Sequence, residues 1–490
     1  MNFVSFGFLA FLLIVWLLFL ILPDKKRVPW LTLASYIFYA TWSIPFIGII
    51  IVTTTVDFWI SQWMARHDSV SGRKKYLILG LSINLLVLGF FKYAHFLLSN
   101  TYGLASLLGM NLLMPPALEQ LLSHVILPLG ISFYTFEAIS YMVDVYRGKP
   151  AATSWWGYNF YIMYFPHLIS GPIVRFEQLW EQYKIPLQIP SLARIAAGIE
   201  LIMLGYLFKI FIANQAALIA DPVFNHPANF NHLAIWLGVV GFTTQIYFDF
   251  MGYTHIARGV SLLFNIELPL NFNHPYLANT ISNFWERWHI SLSRWIRDYL
   301  YIPLGGSRLP LFHTAGNLML TMLIAGAWHG AGWTFIAWGG YHGVLLAIYH
   351  IYKTIKSRFL ASLPLFNTFT SGPFYHVMAV AFTFLLVMGG WILFRANSFE
   401  AAATIWQHFV NLPQVLNDLS HASGKELLRT LIPLCLMLLC CVSGPFAIRV
   451  VERIYRPLPF VVKVQVACVL LILCILFTAE GSQPFIYFQF

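Results

Sequence analysis

"LTMLIAGAWHGAGWTFIAWGGYHG", residues 320–343, is apolar or small almost throughout, yet it holds two histidines, His329 and His342. A membrane-crossing helix needs about 20 predominantly apolar residues. A run of this composition therefore reads as membrane-embedded, and the imidazoles inside it as groups with a reason to be there. The rest of the chain agrees. Only 10% of its 490 residues are charged, 59% are hydrophobic, and the mean hydropathy is +0.71. A soluble domain carries roughly 25% charged residues, so the composition is that of an integral membrane protein.

Further apolar runs lie near 3–22, 28–42, 44–64, 76–98, 121–146, 157–173, 195–220, 233–252, 314–327, 332–352, 376–394, 429–447 and 458–479. Several are short or interrupted by Gly and Pro. Roughly ten to thirteen membrane helices are expected by hydropathy, some of them tilted or re-entrant. Lipid tolerates only helices or closed barrels, and these runs lack strict alternation, so the fold class is an all-α polytopic membrane protein. The polar interruptions are short, and one membrane-embedded domain is expected over 1–490. Within 395–428, "SFEAAATIWQHFV" (398–410) starts with a serine cap and predicts an amphipathic helix.

The basic cluster Lys25, Lys26 and Arg27 follows the first apolar run, and no small-residue cleavage site precedes it. That run is expected to remain as a membrane helix rather than a cleaved signal. By the positive-inside rule the N-terminus lies outside the cytoplasm, and so does the short tail 480–490, since Arg449, Arg453, Arg456 and Lys463 precede the last run. The excess of 29 Lys+Arg over 19 Asp+Glu is what cytoplasmic loops supply, and no soluble basic domain exists to hold nucleic acid. The cysteines Cys435, Cys440, Cys441, Cys468 and Cys474 show no CxxC spacing, so neither disulfides nor a thiolate metal site is expected. No HxxxH or HExxH pattern occurs among the 16 histidines, no metal site is predicted, and GxSxG and Walker patterns are also missing.

Chemistry concentrates in "NFWERWHISLSRWIRDYLYIPLGGSR", residues 283–308. As one helix over 283–300, it carries Trp288, Leu292, Trp295 and Tyr299 on a broad apolar face, with Arg287, Ser291 and Arg294 on another side. Pro303, Gly305 and Gly306 then let the backbone turn inward. An interfacial helix anchored by Trp and Arg fits this pattern. So does a site containing His289. An ionisable group at a membrane helix centre costs about 2.5–3.5 kcal/mol, so it should face protein or water. His329 sits among Gly326, Ala327, Gly330, Ala331 and Gly332, which permit close helix approach or a cavity. A buried imidazole bonding a carbonyl fits His329, and so does a general base with a pKa near working pH.

"FWERWHISLSRWIRDYLYIPLGG" followed by "GAWHGAGWTFIAWGGYHG" resembles the membrane-bound O-acyltransferase family, in its bacterial branch that O-acetylates envelope polysaccharides such as alginate and peptidoglycan. "LASYIFYATW" (33–42), "FKYAHF" (91–96), "LPLGISFYTFEAISYMVDVYRG" (127–148), "FPHLISGPIVRF" (165–176), "QIYFDFMGYTHIARG" (245–259) and "WILFRA" (391–396) extend the likeness over nearly the whole chain. The resemblance implies a ring of tilted transmembrane and re-entrant helices around a central tunnel. It implies that His329 is the catalytic histidine and His289 the second polar position. It also implies an acyl donor such as cytoplasmic acetyl-CoA, a bacterial inner-membrane location, and a periplasmic SGNH-type transferase as partner that passes the acyl group to the polysaccharide. Arg287, Arg294, Arg297 and Arg308 are candidates to hold the donor's phosphates. His255 stands where the family usually has an acid after its Gly-Tyr pair, while Asp249 remains nearby. "FIYFQF" (485–490) is similar to the aromatic tail of the small partner protein in D-alanylation systems, which implies that Tyr487 carries the acyl group as a phenolic ester. An interfacial aromatic belt fits the same residues. A transporter or flippase of acylated glycans is the alternative function, and an acyltransferase with another acceptor or acyl group is a further one.

Overall fold

Serine and threonine open many of the helices by accepting the orphan N–H groups of the first turn: Ser5 from Phe8, Ser69 from Gly72, Ser154 from Gly157, Thr280 from Asn283 and Ser398 from Ala401. The computed structural model describes residues 3–110, 114–169, 171–360 and 370–444, parts of 446–469, and residues 485–486. No strand occurs among the described residues. Six helices there are long and apolar enough to cross a membrane: 44–65, 70–107, 192–225, 232–263, 311–329 and 373–395. This is fewer than the apolar runs suggested. Within 121–146 only the end of the helix Pro116–Ser123 and the helix Ile131–Tyr146 are helical, and 157–173 is split at Tyr164. The run 458–479, with Cys468 and Cys474, lies largely outside the described residues.

The chain divides into two compact units. The first holds residues 1–202, 256–269 and 330–332. Its helices are α1 (Phe6–Ile21), α2 (Asp24–Ala40), α3 (Ile44–Ala65), α4 (Val70–Leu88), α5 (Ala94–Leu107), α6 (Pro116–Ser123), α7 (Ile131–Tyr146), α8 (Trp155–Met163), α9 (Phe165–Leu168) and α10 (Phe176–Tyr183), with the start of α11 (Leu192–Leu207). Helix α7 is buried on nearly all sides, and several of its polar groups are paired. Glu137 accepts the Val174 N–H at 3.1 Å and lies 3.1 Å from His167 Nδ1, and Ser61 meets the Tyr141 hydroxyl at 2.8 Å. Most buried polar groups find partners in this way, because an unpaired one is costly in hydrocarbon.

The second unit holds residues 203–255, 270–329 and 333–490. It contains α12 (Asn214–Asn225), most of α13 (His232–Leu263), α14 (Ile281–Arg287), α15 (Ile290–Ile296), α16 (Leu311–His329), α17 (Trp333–Ile355), α18 (Pro373–Arg395), α19 (Phe399–Val410), α20 (Leu412–His421) and α21 (Gly424–Val442). Helices α16 and α17 pack closely because glycines face each other. A Cβ at Gly326 would stand 2.3 Å from the Phe335 carbonyl, and one at Gly339 2.2 Å from the Met322 carbonyl. The small residues before His329 therefore serve helix approach, as their composition implied.

Candidate active site

The stretch 283–300 is not one helix. Helix α14 ends at Arg287, Trp288 is extended (φ −97°, ψ 130°), His289 is left-handed (φ 42°, ψ 55°), and α15 begins at Ile290. Left-handed backbone is uncommon for a residue with a Cβ and costs of order 1–3 kcal/mol, so surrounding bonds must impose it. They come from an earlier segment. The Ile290 N–H donates to the Asn271 carbonyl at 2.9 Å, and the Ser291 N–H and hydroxyl donate to Asn271 Oδ1 at 3.2 and 2.6 Å. The Asn273 N–H in turn donates to the Arg287 carbonyl at 3.0 Å. The backbone groups released by the break are thus paired. The shared side expected for Arg287, Ser291 and Arg294 is lost, because Ser291 turns inward to Asn271 while Arg294 is exposed.

The break buries His289 completely, with its ring edge-on to Phe250 at 4.7 Å between centroids. Burial pushes its pKa down from 6.5 to about 3, so the imidazole is neutral at ordinary pH. His329, the last residue of α16, is 6% exposed and ringed by Trp328, Trp338 and Phe394 at 4.8, 5.0 and 5.2 Å. Trp328 also lies 6.4 Å from His289, so one indole neighbours both imidazoles and closes their separation in sequence.

His342 joins this cluster, although sequence reasoning assigned it no role. It is wholly buried among Phe284, Trp285, Trp338 and Tyr341, and among the described residues neither ring nitrogen has a hydrogen-bond partner. The indole N–H groups of Trp285 and Trp338 are unpaired too. A group buried without a partner costs about 1–3 kcal/mol. The available signal was that His342, like His329, interrupts an apolar run.

A cavity of about 460 Å³ opens beside the cluster, lined among others by Trp285, Glu286, Arg294, Arg297, Thr321 and Met322. Met322, Ala325 and His329 share one face of α16, and Met322 precedes His329 by two turns, about 10 Å along the axis. The cavity thus brings together two of the four candidate arginines. Arg297 also donates from Nε to Asp298 Oδ1 at 2.7 Å. Arg287 and Arg308 are not among its lining residues. The Arg287 Nε donates to Asn283 Oδ1 at 2.9 Å, and Arg308 is exposed after the turn at Gly305 (φ 108°) and Gly306 (φ 57°).

His255 serves packing and helix bonding: its Nδ1 is 2.8 Å from the Met251 carbonyl and its ring meets Phe208 edge-on at 5.4 Å. Asp249 takes the buried ionic role on that helix, paired with Lys209. Tyr487 lies outside the described residues, but the two before it, Phe485 and Ile486, are 1% and 2% exposed.

The model of the membrane-bound O-acyltransferase family matches residues 152–394. Over 84% of its length the chain is 39% identical to the probable alginate O-acetylase AlgI of Azotobacter vinelandii, covering 78% of that protein. It is 36% identical to the probable alginate O-acetylase AlgI of Pseudomonas putida, with all of each chain covered. It is 32% identical to the peptidoglycan O-acetyltransferase of Helicobacter pylori, across 98% of this chain and 96% of that one. A polytopic helical membrane protein whose matched region buries His289, His329 and His342 in one aromatic cluster, this chain belongs to the membrane-bound O-acyltransferase family and is an O-acyltransferase.

Proposed function

We propose that the chain takes an acetyl group from acetyl-CoA at the cytoplasmic face of a bacterial inner membrane and relays it outward for O-acetylation of an envelope polysaccharide. The relatives named for alginate and peptidoglycan O-acetylation support that acceptor class. The observation that carries the reading is the placement of His289 and His329 around Trp328, two helical turns from a cavity holding two guanidinium groups. Arg294 and Arg297 bind donor phosphates as fork-shaped donors. His329 takes the proton of an acceptor hydroxyl whose oxygen attacks the thioester carbonyl carbon. The C–S bond breaks, and coenzyme A leaves as the thiol after receiving a proton. Neutral His289, buried at the break against Phe250 and beside Trp328, supports the site. The acceptor hydroxyl is the phenol of Tyr487, whose ester is a good leaving group. A periplasmic SGNH-type transferase then takes the acyl group to the polysaccharide. The N-terminus and the 480–490 tail face the same extracytoplasmic side, a reading supported by the flanking basic clusters.

The test is release of coenzyme A thiol from acetyl-CoA by the purified protein. His329→Ala is expected to lower kcat by about 10²–10⁴-fold, the usual worth of a general base, without lowering the unfolding midpoint by more than a few degrees. A wild-type rate in that variant would remove the base from the mechanism.

A further inference from the structure

Lys209, on the π-helical turn Phe208–Ala213, and Asp249, on α13, form an ion pair at full burial, 2% exposed each. Close approach of the two helices makes the pair possible. A Cβ at Gly252 would meet the Gly205 carbonyl at 2.9 Å and the Lys209 nitrogen at 3.2 Å, so only glycine fits there without displacement. A π-turn inside an α-helix is also a common mark of a functional position.

The second carboxylate oxygen is not idle. Asp249 Oδ2 accepts the backbone N–H of Ile486 at 2.7 Å, across 237 residues of sequence. The Lys209 ammonium lies 4.7 Å from the centroid of the Phe485 ring, and Tyr253, one helical turn past Asp249, meets that ring edge-on at 4.9 Å. Three contacts thus converge on two consecutive residues. One is a charge-assisted hydrogen bond to backbone, one a cation–π contact, and one an aromatic edge contact. An ion pair needed only to pin two helices would not also spend a carboxylate oxygen on a distant backbone amide.

We infer that Lys209, Asp249 and Tyr253 form a clasp for the Phe485–Ile486 segment, positioning the residue that follows, Tyr487, for acyl transfer. The inference rests on the proposed relay through Tyr487. A single peptide unit, about 3.8 Å between Cα atoms, links the clasped amide to the phenol carrier, so the clasp sets the register of that carrier. Recognition runs through the backbone of Ile486 and the ring of Phe485.

Hydrogen exchange of the full-length protein in detergent, read by mass spectrometry on the fragment spanning 480–490, tests the clasp separately from the relay. In the wild type the Ile486 amide should exchange slowly. In Lys209→Met/Asp249→Leu, which removes both buried charges together and spares the fold an unpaired ion, exchange should rise at least tenfold. Tyr487→Phe should keep the protection while abolishing acyl relay; retained relay in that variant would sink the phenol and leave the clasp standing. Turnover supplies the second readout. Ile486→Pro, which lacks the donated N–H, should lower kcat at least tenfold with KM for acetyl-CoA unchanged, whereas Ile486→Val should restore the wild-type rate. Unchanged exchange in the double variant, or an Ile486→Pro enzyme as fast as Ile486→Val, overturns the inference.

Discussion

Replacing Gly339 by alanine asks whether the spacing of α16 and α17 sets the position of His329. The added Cβ would stand 2.2 Å from the Met322 carbonyl oxygen and 3.2 Å from the Gly326 Cα. Ordinary contact begins near 3.4 Å, so the shortfall is about 1.2 Å. The obstacle is helix backbone, which has no rotamer to escape into, so the two helices must separate by about an ångström. Overpacking of this kind costs about 1–3 kcal/mol, of which alanine's helix propensity returns up to ~1 kcal/mol. The larger effect falls on chemistry. His329 lies on the Met322 face of α16, while Trp338, its ring neighbour, sits beside Gly339 on α17. A displacement of about 1 Å costs on the order of 10²-fold in rate. Gly340→Ala is the matched control, because its Cβ would meet only the flexible Leu323 Cδ2 at 3.5 Å and gains the same propensity. Both variants should be assayed for thiol release from acetyl-CoA and for thermal unfolding in detergent. A Gly339→Ala protein with wild-type turnover, or a Gly340→Ala protein equally impaired, would refute the spacing argument.

The cavity lining predicts an asymmetry among the arginines: Arg294→Ala and Arg297→Ala should raise KM for acetyl-CoA roughly 10-fold or more, as expected for a lost charge-assisted contact, while Arg308→Ala changes it little. An equal rise in Arg308→Ala would move the donor site elsewhere. His289, with its pKa lowered from 6.5 to about 3 by burial, stays unprotonated when folded but takes a proton when unfolded below pH 6.5. Stability should therefore rise with pH between those values, by up to ~1.4 kcal/mol per unit, and the contribution should level off above pH 7. His289→Gln should flatten that slope in melts recorded from pH 4 to 8, and an unchanged slope would assign it to other groups. In the first unit, Glu137→Leu strands both His167 and the Val174 N–H. Removing one partner of a buried pair costs about 3–5 kcal/mol, and Glu137→Gln, which keeps an acceptor, should lose markedly less. Identical unfolding midpoints for the two variants would show that the pair does not stabilise the unit.

Hydropathy and single-residue chemistry were legible without coordinates. Apolar runs located the long helices, since the cost of polar backbone in lipid acts on each segment by itself. Ser398 announced its helix because an N-cap is a contact over three residues. His329 stood out because an imidazole in a run of small and apolar residues is expensive wherever the chain folds. The arginines were harder. Spacing placed them on a helix but not around a cavity, and only Arg294 and Arg297 line it.

The sequence by itself determined a helical membrane protein and its family, and it singled out His329 as a candidate, because these follow from local periodicity, local burial cost and contiguous motifs. Tertiary structure alone decided the rest of the site. Apolar spacing ran unbroken through 283–300, and the break at His289 arises because Asn271 and Asn273 capture the backbone there. His342 gained its place from aromatic rings on α14 and α17, and Asp249 met Lys209 through close helix packing at Gly252 and the Ile486 amide through a contact 237 residues along the chain. Hydrogen bonds and ring contacts between residues 20 to 237 positions apart leave no periodic trace along the chain, since the free energy that selects them exists only once the segments have been brought together.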